Sequence, residues 1–139
     1  MKKVAVLCLD VGLRRVGVAG CDGLGIVATE LTTVTRASFK EDVEVFRQLI
    51  HDREADLLVV GLPYNKEGEI GFQAKQVMKY ANRLSQALEI DVEFVDERFS
   101  SVAAEEQLKQ SKKYSRRDKG SIDKRAAAII LQQWLDHRN

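Results

Sequence analysis

No apolar run in this sequence approaches the roughly 20 residues that a membrane-spanning helix needs, so no transmembrane segment is expected. The opening MKKVAVLCLD has only six apolar residues before Asp10, too few for the core of a signal peptide, and the protein is read as cytoplasmic. Cysteine is scarce. Cys8 and Cys21 have no histidine nearby, which excludes a zinc site and leaves reduced, buried packing roles. His51 and His137 stand alone near expected helix ends and are assigned no chemistry. The sequence has no GxxxxGK[ST] phosphate loop, internal repeat, heptad pattern or domain linker. At 139 residues it is one domain's worth (1–139), too short for two lobes around a cleft. Charge of one sign is lacking too. The net charge of +1 names no partner by itself.

The chain is organised around Leu7 to Gly20, LCLDVGLRRVGVAG. An apolar run from Val4 to Leu9 ends in Asp10; Gly12, Arg14 and Arg15 follow, then a second apolar run from Val16 to Ala19. The pattern predicts a strand, a tight turn and a strand, the first buried on both faces and therefore central. A carboxylate at the mouth of such a strand needs a neutraliser: Arg14 or Arg15, the N–H groups of the turn, or a metal ion. An Asp that only caps the turn is the plainer alternative.

A third strand is expected over Ile26–Val34, completing an antiparallel meander. Ser38-Phe39-Lys40-Glu41 reads as a capping box opening a helix over 39–53. A strand over Asp56–Leu62 follows, then a loop holding the one proline, Pro63. A helix is expected from about Gly71 to Ala87, and a strand over Asp91–Asp96 with Val92, Phe94 and Asp96 on one side and Glu93 and Val95 on the other. A short helix over about 101–109, a mobile 110–120 and a helix from about 121 to His137 complete the chain. The order βββαβαβαα predicts an α/β fold: a mixed five-stranded sheet, order 3-2-1-4-5, with helices on both faces.

Three acids converge in this scheme. Asp10 ends the first strand and Glu97 follows the fifth. Asp123 is expected in the first turn of the last helix, sharing a face with Ala126, Ala127, Ile130 and Trp134, so it points at the sheet. With the fourth strand between the first and fifth, Asp10 and Glu97 stand about 9–10 Å apart, a gap that metal bonds can close. Oxygen-only donors favour Mg²⁺ or Mn²⁺, which suits phosphodiester hydrolysis. Lys109 to Arg125 holds eight basic residues against two acidic ones, leaving −5 for the rest of the chain, a footprint for a polyanion. Lys112, Lys113, Arg116 and Arg117 are its candidate phosphate contacts, joined by Arg14 and Arg15 of the first turn, by Asn65 and Lys66 on the sheet edge, and by Arg98, a partner for an acid or a phosphate. Tyr64, Phe72 and Tyr114 are candidates for stacking on bases, with core or rim packing the better reading for Phe72.

The stretches LDVGLRRVGVA (9–19), VVGLPYNKEGEIGFQA (59–74), FVDERFSS (94–101) and SIDKRAAAIILQQWL (121–135), in that order, resemble the YqgF (RuvX) family over nearly the whole chain. That family comprises small RNase H-like bacterial proteins described as Holliday junction resolvases and as nucleases maturing the 5′ end of pre-16S ribosomal RNA. The resemblance implies an RNase H-like fold and a catalytic, metal-holding triad of Asp10, Glu97 and Asp123. Arg14 stands where the family usually has Lys, and Tyr64 where an aliphatic residue is common; neither touches the triad. The functions in contention are a metal-dependent endonuclease on pre-rRNA, the same chemistry on branched DNA, a non-catalytic RNA-binding protein and a nucleotide-binding module. The last rests on the likeness of DVGLRRVGVAG to the phosphate hairpin of actin-like ATPases, which need a second lobe. A monomer or weak homodimer is expected, with no membrane partner.

Overall fold

The computed structural model describes residues 4–64, 69–96 and 119–138. The expectations for Asn65, Lys66, Glu97, Arg98, the helix over 101–109, and the 110–120 segment with Lys112, Lys113, Tyr114, Arg116 and Arg117 lie outside the described residues. The elements are β1 (Val6–Val11), β2 (Arg15–Cys21), β3 (Ala28–Thr35), α1 (Phe39–Arg53), β4 (Leu57–Leu62), α2 (Phe72–Leu88), β5 (Asp91–Asp96) and α3 (Lys119–Arg138).

The sheet runs β3-β2-β1-β4-β5, the expected order. β1, β2 and β3 pair antiparallel; β4 is parallel to both β1 and β5. β1 lies mid-sheet with helices over both faces, which is why Leu7, Cys8 and Leu9 are fully buried in succession. Side chains alternate across it. Leu7, Leu9 and Val11 enter a core with Phe46 of α1 and Val77, Ala81 and Leu84 of α2. Val6 and Cys8 enter the opposite core, beneath Ala127, Ile130, Leu131 and Leu135 of α3. β5 alternates the same way, Val92 and Phe94 toward the first core and Val95 toward the second.

Ser38 caps α1 as its sequence predicts, its Oγ accepting from Glu41 N at 3.1 Å. Two expectations are corrected and a third is narrowed. Pairing in β3 starts at Ala28, not Ile26, because the Asp22 carboxylate takes the N–H groups of Ile26 and Val27 at 2.7 and 3.1 Å and holds both residues in a turn. Both side chains are exposed. Helix α3 begins at Lys119, so Asp123 is its fifth residue and lies one turn inside. Phe72 opens α2 at 77% exposure, which removes the core from the two places, core and rim, expected for it. Among the described residues, no helix is long and apolar enough to cross a membrane.

Candidate active site at the carboxyl edge of the sheet

The parallel strands β1, β4 and β5 end on one edge, where loops rather than ladder bonds take over. Asp10 lies at that end of β1. It alternates with Val6 and Cys8, which places it on the α3 face of the sheet. Its cross-strand partner on β2 is Gly17. Paired residues of an antiparallel ladder project to the same face, so whatever covers Gly17 stands beside Asp10.

What covers Gly17 is the backbone of Asp123. A Cβ built on Gly17 would collide with the Asp123 carbonyl and lie 2.9 Å from Lys124 N. Only a residue without a side chain lets the helix descend this far onto the strand. The Asp123 side chain then reaches Arg15, at the start of β2, and Arg15 Nε donates to Asp123 Oδ2 at 2.6 Å. Arg15 is about a third exposed and Asp123 about a quarter. The bond is charge-assisted and fixes the carboxylate's rotamer. The sequence left the neutraliser of Asp10 open among Arg14, Arg15, the turn and a metal; the structure commits Arg15 to Asp123, while Arg14 is exposed.

The β1–β2 turn is braced from behind. Gly12 N donates to Arg15 O at 2.8 Å and closes the hairpin. Arg36, just past β3, donates from its guanidinium to Gly12 O at 2.7 Å and from its backbone to Arg14 O at 2.8 Å. The same guanidinium lies 4.1 Å from the centroid of the Tyr80 ring on α2. Tyr80 in turn donates its hydroxyl to Asp42 Oδ2 at 2.8 Å, while Ala37 N donates to Oδ1 at 2.9 Å. Asp42 is 2% exposed, so both of its oxygens need these donors. Burial, reinforced by the adjacent carboxylate, pushes the Tyr80 hydroxyl well above its ordinary pKa. Sequence reasoning missed this relay. Asp42 and Tyr80 sit at helical spacing among apolar residues, and that pattern was the one available signal.

The structure therefore brings Asp10, Arg15 and Asp123 together and places the third expected acid, Glu97, outside the described residues, directly after β5 in sequence. Among the described residues, no group of three or more His, Cys, Asp or Glu stands ready to hold a metal. Of the basic tract, Arg125 is spent inside the fold. Its Nε lies 3.3 Å from Glu30 Oε1 on β3, an ion pair without hydrogen-bond alignment.

Residues 4–137 match the family profile described as RuvX, Holliday junction resolvase. The chain belongs to the RuvX family. Two cyanobacterial relatives, whose names assign them provisionally as pre-16S rRNA nucleases, span almost its full length. The protein from Rippkaea orientalis is 57% identical over 138 residues, 99% of each chain. That from Synechocystis is 58% identical over 137 residues, 99% of this chain and 90% of the relative. Among solved structures, Thermus thermophilus RuvC bound to a Holliday junction aligns over 97% of this chain and 95% of its own, with a TM-score of 0.55 and 16% identity. Fowlpox virus resolvase with junction DNA aligns over 96% and 97%, with a TM-score of 0.57 and 8% identity. At such identities these two establish the fold, the RNase H-like architecture of RuvC, for this RuvX-family chain.

Proposed function

We propose that this RuvX-family chain is a single-domain, metal-dependent endonuclease that hydrolyses phosphodiester bonds in the 5′ leader of pre-16S rRNA in the cytoplasm. The observation that carries the reading is the descent of Asp123 onto Gly17, beside Asp10, at the carboxyl edge of the sheet. The substrate comes from the relatives that share more than half of the sequence over its whole length.

Asp10, Glu97 and Asp123 are the metal-holding and catalytic acids. Asp123 commits one oxygen to Arg15 and offers the other, and the set is oxygen-only, which fits Mg²⁺ or Mn²⁺ and not zinc. An ion held by these acids would supply activation of water and stabilisation of the leaving oxygen. The chain's own residues do the rest. Arg15 holds Asp123 in place, and the Gly12–Arg15 hairpin holds Asp10 and Arg15 in register. Val95, near the end of β5, faces α3, the side of the sheet that Asp10 shares. Arg14, Asn65, Lys66, Arg98, Lys112, Lys113, Arg116 and Arg117 contact phosphates along the backbone. The family's resolvase description favours a second reading, the same chemistry on branched DNA.

The test compares wild type with Asp10→Asn, Glu97→Gln and Asp123→Asn on a pre-rRNA leader and on a four-way DNA junction, with Mg²⁺ and with Mn²⁺. The leader is cut by wild type and not by the variants. Equal cleavage by all four proteins defeats the triad, and cleavage of the junction alone assigns the chain to DNA.

A further inference from the structure

Beside the braced turn, on the face of the sheet opposite α3, lies a cleft of about 500 Å³ between the β1–β2 turn and helix α2. None of Asp10, Arg15 and Asp123 lines it. Its floor and walls include Arg36, Lys75, Lys79 and Arg83, and no acidic residue lines it among those described. Lys75, Lys79 and Arg83 are exposed and follow one another at four-residue steps, a single basic line along α2. The Arg83 guanidinium carbon lies 3.9 Å from the Phe39 ring centroid, a contact that holds the charge at the cleft wall. The rim carries two apolar side chains that water should repel: Leu13, 80% exposed at the tip of the turn, and Phe72, 77% exposed at the start of α2. Three exposed cations with no acidic neighbour among the described lining residues, Arg36 at their end and an aromatic ring presented to solvent match a polyanion whose units have flat faces. A duplex hides its base faces in the stack; a single strand offers them.

We propose that this cleft is the docking channel for single-stranded RNA leading into the acid site, with Lys75, Lys79, Arg83 and Arg36 on successive phosphates and Phe72 stacked on a base. The proposal rests on reading the chain as a ribonuclease and adds where its substrate lies. The cleft opens at Val11, Gly12 and Leu13, immediately after Asp10 in β1. A strand leaving the acids crosses the carboxyl rim over the turn and descends along α2. This also accounts for the turn's brace, since Arg36 ties the Gly12 carbonyl to Tyr80 at the point of crossing.

The test measures binding of a labelled twelve-nucleotide oligouridylate by fluorescence anisotropy across a salt series, without added metal. It uses wild type, Phe72→Ala and the triple variant Lys75→Ala/Lys79→Ala/Arg83→Ala, each shown folded by circular dichroism. Single strands lose about 0.7 in salt slope for each phosphate released, so the triple variant should lower the slope by about 2. Phe72→Ala should weaken binding about tenfold at fixed salt, as expected for losing one stacked base. An unchanged slope in the triple variant overturns the channel, as does failure of wild type to bind. So does tighter binding of the matching oligothymidylate, which would make the ligand DNA. Displacement of the RNA by an acidic peptide of equal charge, with Phe72→Ala behaving as wild type, gives the cleft to a protein partner and also overturns it. The acid site is judged separately, by cleavage and its loss in Asp10→Asn, so either reading can fail while the other stands.

Discussion

Replacing Gly17 by alanine tests the contact on which the acid site is built. The added methyl would collide with the Asp123 carbonyl and lie 2.9 Å from Lys124 N, where ordinary contact begins at 3.4 Å. Both neighbours are backbone, so no side chain can swing aside; α3 must retreat by on the order of 1 Å or β2 must yield. Overpacking of this kind costs about 1–3 kcal/mol. With an unfolding entropy of about 0.3 kcal/mol/K for a chain of 139 residues, Tm should fall by about 3–10 °C. The chemistry should suffer more than the fold, because a displacement of about 1 Å in a positioned group can cost about a hundredfold in rate. Gly71→Ala is the control. Its methyl meets nothing within 4 Å, and the cost of a changed helix cap stays below about 1 kcal/mol. Thermal melts and single-turnover cleavage of the leader read the two effects. A Gly17→Ala protein with the melting temperature and cleavage rate of wild type would refute the idea that α3 presents Asp123 by resting on this glycine.

Other expectations follow from the same geometry. Arg15→Gln should change stability by less than about 1 kcal/mol, since the pair is partly exposed, yet lower cleavage or Mn²⁺ affinity about 10–100-fold by releasing Asp123; Mn²⁺ titration showing unaltered affinity and rate would exclude that positioning role. Tyr80→Phe should cost about 1–3 kcal/mol in urea melts at neutral pH, because buried Asp42 loses a donor. An unfolded tyrosine ionises near pH 10, whereas Tyr80 in the fold keeps its proton. The native state then binds more protons than the unfolded one, so wild-type stability should fall as pH rises from about 10, and Tyr80→Phe should lack that part of the slope. Alanine at Lys112, Lys113, Arg116 and Arg117 should flatten the salt dependence of leader binding by about 3–4 log units per log unit of salt; an unchanged slope in filter binding would take those four residues out of the interface.

Much of the architecture was legible because burial on two faces writes an unmistakable pattern. The apolar runs in β1 and β4 could only be central strands, and a helix between them required a parallel pair. Asp123 could be aimed from its offsets to Ala126, Ala127 and Ile130, since a stripe of small and apolar residues has one direction to face; Ala126, Ala127 and Ile130 are indeed buried. The choice of Arg15 over Arg14 was not legible, because it depends on where a helix 108 residues later comes to rest. Ile26 and Val27 read as strand by propensity, but propensity says nothing of a nearby carboxylate that claims their N–H groups. Phe72 could not be assigned between core and rim, because aromatic residues are usually buried and one held out to solvent is visible only in three dimensions. The Asp42–Tyr80 bond escaped because helical spacing can mark each residue as inward-facing but cannot pair two side chains 38 positions apart on different helices.

Helix α3 follows all five strands in the chain, yet its fifth residue rests on the second of them. A nascent polypeptide therefore exposes Asp10 and Arg15 well before their counterpart exists; at about 5–20 residues per second the wait is several seconds to tens of seconds. If the acids act together, synthesis itself withholds the enzyme's competence. On that reading, an emerging fragment that has laid down the sheet but not the closing helix cannot yet cut any RNA it meets.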